Sequence, residues 1–386
     1  MMASGIWYVP LARILISHGY ASSLSYAYAA SALAAFVSPL VFGAMADRHA
    51  APTRVLRGLA LASAAAVALS FHAIAAGWKP GIVLALIQLY ALVAVPTSSI
   101  TNTIIFSRLR DSQRQFGTIR AAGTFGWMAG CWLVSLAGLD ASTTTGYLGA
   151  LVWLGLAAFT YGLPCVVPPA APKTSWKQRM GWDALVLLKH HDHGVVFLTT
   201  ALFSIPLAAF YPYTPPQLQH LGFQRTSAWM SLGQITEIIA LVALAGLFGR
   251  WRLKWIFAVG LGFGVLRFAL CATDLPFWLL TGITMHGFSF TLFFITGQIY
   301  LNERVDAAWR ARAQALMSLM TSGVGSLIGY LTTGFWLRTC SPAGVTNWPT
   351  FWGWLAISIA IVLIFFVAAY HGKGTGFKRA PELTPE

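Results

Sequence analysis

A chain of 386 residues that is 57% hydrophobic and only 9% charged is not a soluble enzyme, in which about a quarter of the residues would carry charge. Its net charge of +14 does not point to nucleic acid either, because the basic residues are spread one loop at a time and form no cluster or RNA-binding motif. The four cysteines, Cys131, Cys165, Cys271 and Cys340, are far apart and show no CxxC or metal-ligand spacing, so they read as isolated thiols, and no cofactor is expected.

Apolar runs bounded by charge, Gly or Pro predict twelve helices: 1–17, 24–46, 55–78, 81–106, 117–138, 145–168, 194–214, 226–249, 253–273, 276–301, 310–336 and 349–371. A run of this kind crosses a hydrocarbon layer of ~30 Å as a helix, which satisfies its own backbone hydrogen bonds in lipid. The first run falls short: at ~1.5 Å per residue it reaches only about 25 Å, so a truncated first helix or a start further upstream is expected. No basic region precedes that run, and no cleavable signal is expected.

The loops fix an orientation. Alternate ones carry Arg48, Arg54 and Arg57; Arg108, Arg110 and Arg114; Lys173, Lys177, Arg179 and Lys189; Arg250, Arg252 and Lys254; Arg304, Arg310 and Arg312; and the tail adds Lys373, Lys378 and Arg379. The opposite loops hold only Arg13, Lys79, Arg225 and Arg338. Basic residues collect on the cytoplasmic side, so both ends of the chain are expected there, in a multi-pass protein of the cytoplasmic (inner) membrane surrounded by lipid. The longest polar stretch divides the runs six and six. The expected organisation is an N-terminal six-helix bundle (1–166), a cytoplasmic linker (167–193), a C-terminal six-helix bundle (194–371) and a cytoplasmic tail (372–386). Two such halves around a central site suit a secondary transporter, and the absence of any GxxxxGK[ST] motif excludes a P-loop ATPase.

Polar groups inside the runs are costly and are therefore candidate functional residues. Asp47 and Arg48 follow the second run, in the GAMADR that opens the loop to the third, where an acid beside a base suits a gating contact. Asn102 lies in the fourth run. In the fifth, Arg120, Thr124 and Trp127 share one helical face and present a cation, a hydroxyl and an aromatic plane. Pro206, Pro212, Pro215 and Pro216 interrupt the seventh run, and Tyr211 accompanies them as a cavity-wall residue. Gln234 and Glu237 share a face of the eighth, and Glu237 is the only carboxylate inside any run. A surrounding of low dielectric favours the neutral carboxyl, which suits a group that takes up and releases a proton. Arg267 lies deep in the ninth run with no evident role. The tenth holds His286, able to titrate near neutrality, with Thr291, Thr296 and Gln298. Paired carboxylates, HExxH and a Ser/His/Asp set are all missing from the runs, which argues against a membrane enzyme.

In order along the chain, GIWYV (5–9), SPLVFGAMADR (38–48), PTSSITNTI (96–104), FGTIRAAGTFGW (116–127), SLGQITEI (231–238), VLRFAL (265–270), HGFSFTLFFITGQIY (286–300) and RARAQALMSLMTSGVGSLIG (310–329) resemble the nucleoside:proton symporter family (nucleoside permease G type) of the major facilitator superfamily. The resemblance implies an all-α integral membrane protein of major facilitator fold, working as a monomer on nucleosides and protons. It also implies that Arg120, Thr124, Trp127, Gln234, Glu237 and Phe290 bind substrate, with Thr291 beside them. The family has an acidic residue at the position of Thr291. Threonine cannot titrate, so coupling is expected to rest on Glu237, with His286 as a second carrier. The alternative is an uncoupled facilitator, or a permease for another polar solute such as a sugar.

Overall fold

The computed structural model describes residues 1–48, 51–106, 112–163, 182–248 and 250–372, and every regular element among them is helical. The principal helices are α1 (Met2–Trp7), α2 (Leu11–Ser17), α3 (Leu24–Arg48), α4 (Pro52–Ala75), α5 (Pro80–Phe106), α6 (Ser112–Leu136), α7 (Thr144–Phe159), α8 (His191–Leu207) and α9 (Phe210–His220). They continue with α10 (Thr226–Met230), α11 (Leu232–Phe248), α12 (Leu253–Cys271), α13 (Pro276–Phe290), α14 (Thr296–Arg304), α15 (Ala307–Ser318), α16 (Ser326–Thr339) and α17 (Trp348–Ala369). Among the described residues, eight stretches are long and apolar enough to cross a membrane, Pro52–Ala75, His191–His220 and Trp348–Ala369 among them, and Met2–Ser17, Ala121–Leu136 and Thr144–Phe159 are shorter apolar helices. With α3, they place a helix at each of the twelve predicted runs. Outward-facing Leu136, Val242, Phe335 and Ile364 remain exposed, as they do when the solvent is lipid.

Local departures from straight helices have identifiable causes. The first run bends between α1 and α2 at Pro10, which has no N–H to donate. The seventh turns at Ala208–Ala209 after Pro206, then continues as α9 to His220 despite Pro215 and Pro216 within it. The tenth and eleventh each contain a π-helical turn, Thr291–Ile295 and Leu319–Gly325. Such a turn inserts one residue and shifts the backbone bonding from i→i+4 to i→i+5. The residue five on reinforces each turn with its side chain: Thr291 O accepts from the Thr296 N–H and, at 3.5 Å, from its Oγ1, and Thr321 O accepts from the Ser326 N–H and, at 2.8 Å, from its Oγ.

Helices before residue 163 pack mainly on one another, α4 against α5 and α7 and α1 against α6, as do those after 190, α12 against α13 and α17 and α11 against α13. The two groups meet along α3–α16 and α6–α10. Glycine sets the closest of these approaches. A Cβ on Gly287 would lie 2.0 Å from the backbone N of Glu237, so α13 and α11 touch backbone to backbone beside the carboxylate.

On the face opposite the arginine-rich loops, a polar network ties the groups together. Asp140 is buried and its Oδ1 accepts from the Ser227 backbone N–H at 2.7 Å, from Ser135 Oγ at 3.1 Å and from Thr226 Oγ1 at 3.3 Å. The Ala228 N–H donates to Ser135 Oγ at 2.9 Å, and Trp132 Nε1 donates to Ser231 Oγ at 2.9 Å. Arg13 Nη1 donates to the Gln224 carbonyl and, at 3.5 Å, to Thr226 Oγ1. The first N–H groups of α10 are thus satisfied by side chains from the other group of helices, where water or a local cap would otherwise serve.

Candidate functional site

Beneath this closure, near the middle of the spans, lies a cavity of about 160 Å³ lined by Met1, Thr124, Trp127, Tyr211, Gln234, Glu237, His286 and Phe290. Both groups of helices contribute: α6 supplies Thr124 and Trp127, α9 supplies Tyr211, α11 supplies Gln234 and Glu237, and α13 supplies His286 and Phe290. The helical period explains the pairs, since residues three or four apart share a face.

The polar contacts cross between elements. Thr124 Oγ1 donates to Glu237 Oε1 at 3.3 Å, joining the two groups of helices directly at the carboxylate, which is 7% exposed. Gln234 Nε2 donates to the Tyr211 hydroxyl at 3.3 Å, while Gln234 Oε1 has no partner among the described residues. His286 Nδ1 lies 3.0 Å from Arg267 Nη1 of α12. The aromatic wall is continuous: Trp127 and Tyr211 ring centroids are 5.9 Å apart, and His286 stacks on Phe210 at 4.7 Å and on Phe290 at 6.0 Å. Tyr8 adds a layer toward the closed face, 5.4 Å from Tyr211 and 6.1 Å from Trp127, with its hydroxyl 2.8 Å from that of Tyr330.

The expected site residues divide accordingly. Thr124, Trp127, Tyr211, Gln234, Glu237, His286 and Phe290 share one cavity. Thr291 is not among its lining residues. It is fully buried at the start of the π turn, adjacent to Phe290 and so about 100° around the helix from it, and its Oγ1 has no partner among the described residues. Asn102 and Gln298, expected on the cavity wall, stand away from it. Asn102 is exposed near the end of α5, and Gln298 is exposed on α14, two helical turns beyond Phe290, where its backbone carbonyl accepts from Gln314 Nε2 at 2.7 Å. Polarity within an apolar run marks a residue as unusual but does not say which way it faces. The side chains of Arg120, Asp47 and Arg48 lie outside the described ones. Tyr8, Tyr330 and the pairing of Arg267 with His286 do not stand out in the sequence. The only available signal for the tyrosines was their placement within apolar stretches, which hydropathy does not separate from ordinary packing.

Chemically the cavity offers a buried carboxylate, a hydroxyl and an amide together with flat aromatic faces. That combination suits a small solute with a polyhydroxyl part and a planar part. A model of the nucleoside H+ symporter family matches residues 1–374. The chain is 32% identical over 394 residues to YegT, a candidate nucleoside transporter of Escherichia coli (strain K12), covering 95% of this chain and 90% of YegT. It is 27% identical over 378 residues to the nucleoside permease NupG of the same strain, covering 91% and 88%. A crystal structure of the nucleoside transporter NupG matches over 96% of both chains with a TM-score of 0.84 at 25% identity.

Proposed function

The chain belongs to the nucleoside H+ symporter family, and we propose that it moves nucleosides across the cytoplasmic membrane by proton symport with alternating access. The observation that carries this reading is the contact between Thr124 of one helix group and Glu237 of the other, at the wall of a cavity that also holds Gln234, Trp127 and Phe290. A nucleoside presents ribose hydroxyls to the amide and carboxyl groups and a flat base to the aromatic faces. Glu237 is the proton carrier in this reading, because a protonated and an ionised carboxyl bind substrate with different affinity, and that difference is what couples the two fluxes. His286, the other candidate carrier, has Nδ1 engaged by Arg267. Both chain ends face the cytoplasm, as the loop arginines direct, and the protein works as a monomer.

Substrate class is tested by thermal denaturation of the purified protein against nucleosides, nucleobases and sugars. A ligand at 100 times its Kd stabilises the folded state by about 2.7 kcal/mol, enough to raise the melting temperature by a few degrees. Nucleosides are expected to give that shift and free sugars none. Stabilisation by sugars alone would move the assignment to a different polar solute.

A further inference from the structure

Arg267 is a fully buried cation in a membrane span, 1% exposed, and no carboxylate among the described residues lies within ion-pair distance of it. Its guanidinium rests over the Phe210 ring at 4.1 Å and the Phe268 ring at 4.8 Å. Its Nε and Nη2 have no hydrogen-bond partner among the described residues, so its one polar engagement there is Nη1 against His286 Nδ1, at 3.0 Å. A guanidinium carries donors only. The contact therefore requires a lone pair on Nδ1, since two donors cannot share it. A ring with a lone pair on Nδ1 is the neutral imidazole with its proton on Nε2. Stacking on Phe210 and Phe290 fixes the plane of that ring. Nε2 has no protein partner among the described residues, is not among the sealed polar atoms, and belongs to a side chain that lines the cavity.

We propose that Arg267 is a positioning residue that holds His286 as a fixed Nε2–H donor to the cavity, and that this donor reads a hydrogen-bond acceptor on the planar base of the substrate. The base end is assigned because His286 sits within the aromatic wall, whereas the hydroxyl-binding groups Thr124, Gln234 and Glu237 lie on other helices. A cation without a carboxylate is costly in a membrane, and it is retained here because a neutral residue would leave the tautomer of His286 free. The ligand half of the proposal rests on the nucleoside reading; the tautomer half does not.

The test uses detergent-purified full-length protein labelled with ¹⁵N-histidine, the His286 signals being assigned by their loss in His286→Gln. The expected spectrum has Nε2 protonated and Nδ1 unprotonated at neutral pH, with the fixed tautomer lost in Arg267→Met. Protonation of Nδ1 in the wild type overturns the proposal. In parallel, uridine and inosine affinity and transport are measured. Arg267→Met should weaken binding roughly tenfold, the scale of one lost hydrogen bond, through KM with kcat within about threefold. In the His286→Gln background, where the amide supplies its own N–H, the same change should cost less than about threefold. If Arg267→Met lowers the melting temperature but leaves affinity unchanged, the residue is structural and the proposal fails. Arg267→Lys, which keeps a cation and a donor, substitutes should Arg267→Met not fold, and is expected to retain the tautomer in part. Wild-type protein that binds no nucleoside would overturn the proposed function while leaving the tautomer result intact.

Discussion

The Glu237→Gln transporter is expected to equilibrate nucleoside across a proteoliposome membrane without concentrating it. Glutamine keeps the length and planar head of the side chain, and its carbonyl can still accept from Thr124 Oγ1, now at 3.3 Å from the carboxylate. What it loses is the ability to exist in two protonation states. Moving one elementary charge through a potential of 100 mV is worth about 2.3 kcal/mol, so one proton per nucleoside supports roughly 50-fold accumulation at that potential. The wild type should approach this ratio, and the variant should stop at unity while still exchanging labelled for unlabelled nucleoside. Thr291 sharpens the prediction. A threonine hydroxyl does not titrate in the physiological range, and this one is buried outside the cavity lining, so it offers no second carrier to mask the loss. Undiminished accumulation by the variant would remove Glu237 from the coupling mechanism.

A disulfide across the closed face is expected to stop transport reversibly. The Ala228 N–H and Ser135 Oγ are 2.9 Å apart, and Asp140 and Arg13 reach the same short stretch, 224–228, from the other helix group. Alternating access requires these groups of helices to part at that face once per cycle. Cysteines at Ser135 and Ala228, in a background with the four native cysteines replaced, are the pair to bridge, since the Ser135 side chain already contacts the Ala228 backbone. Oxidation should reduce uptake at least tenfold, and reduction should restore it. Substrate binding should survive oxidation, because the cavity lies beneath the closure. Uptake that continues in the oxidised protein would mean that the Asp140 network holds throughout the cycle and that access to the cavity follows another route.

The helices were legible because lipid leaves the chain few choices: an apolar run of sufficient length must satisfy its backbone internally, whatever its neighbours do. Glu237, Gln234, Thr124 and Trp127 were legible for the complementary reason, as polar or amphipathic groups recurring at helical spacing where apolar ones are cheaper. The π turns at Thr291–Ile295 and Leu319–Gly325 were not, since neither is preceded by a proline, and the sequence TLFFI is an ordinary helical one. Asn102 and Gln298 illustrate the same limit, because composition reports polarity but not rotation about the helix axis. Asp140 stayed hidden because an acid in a short loop after Gly138 and Leu139 resembles any solvated turn. Its burial depends on Ser227 and Thr226, which are more than 80 residues away in sequence.

Joint movement of nucleoside and proton defines the proposed mechanism. It is tested most directly in proteoliposomes loaded with a pH-reporting dye, with the potential clamped and no initial pH difference. Inward movement of uridine down its own gradient is expected to acidify the lumen in proportion to the uridine that enters, and Glu237→Gln should abolish the acidification. Uridine entry with no change in luminal pH would contradict the account and identify the protein as a facilitator.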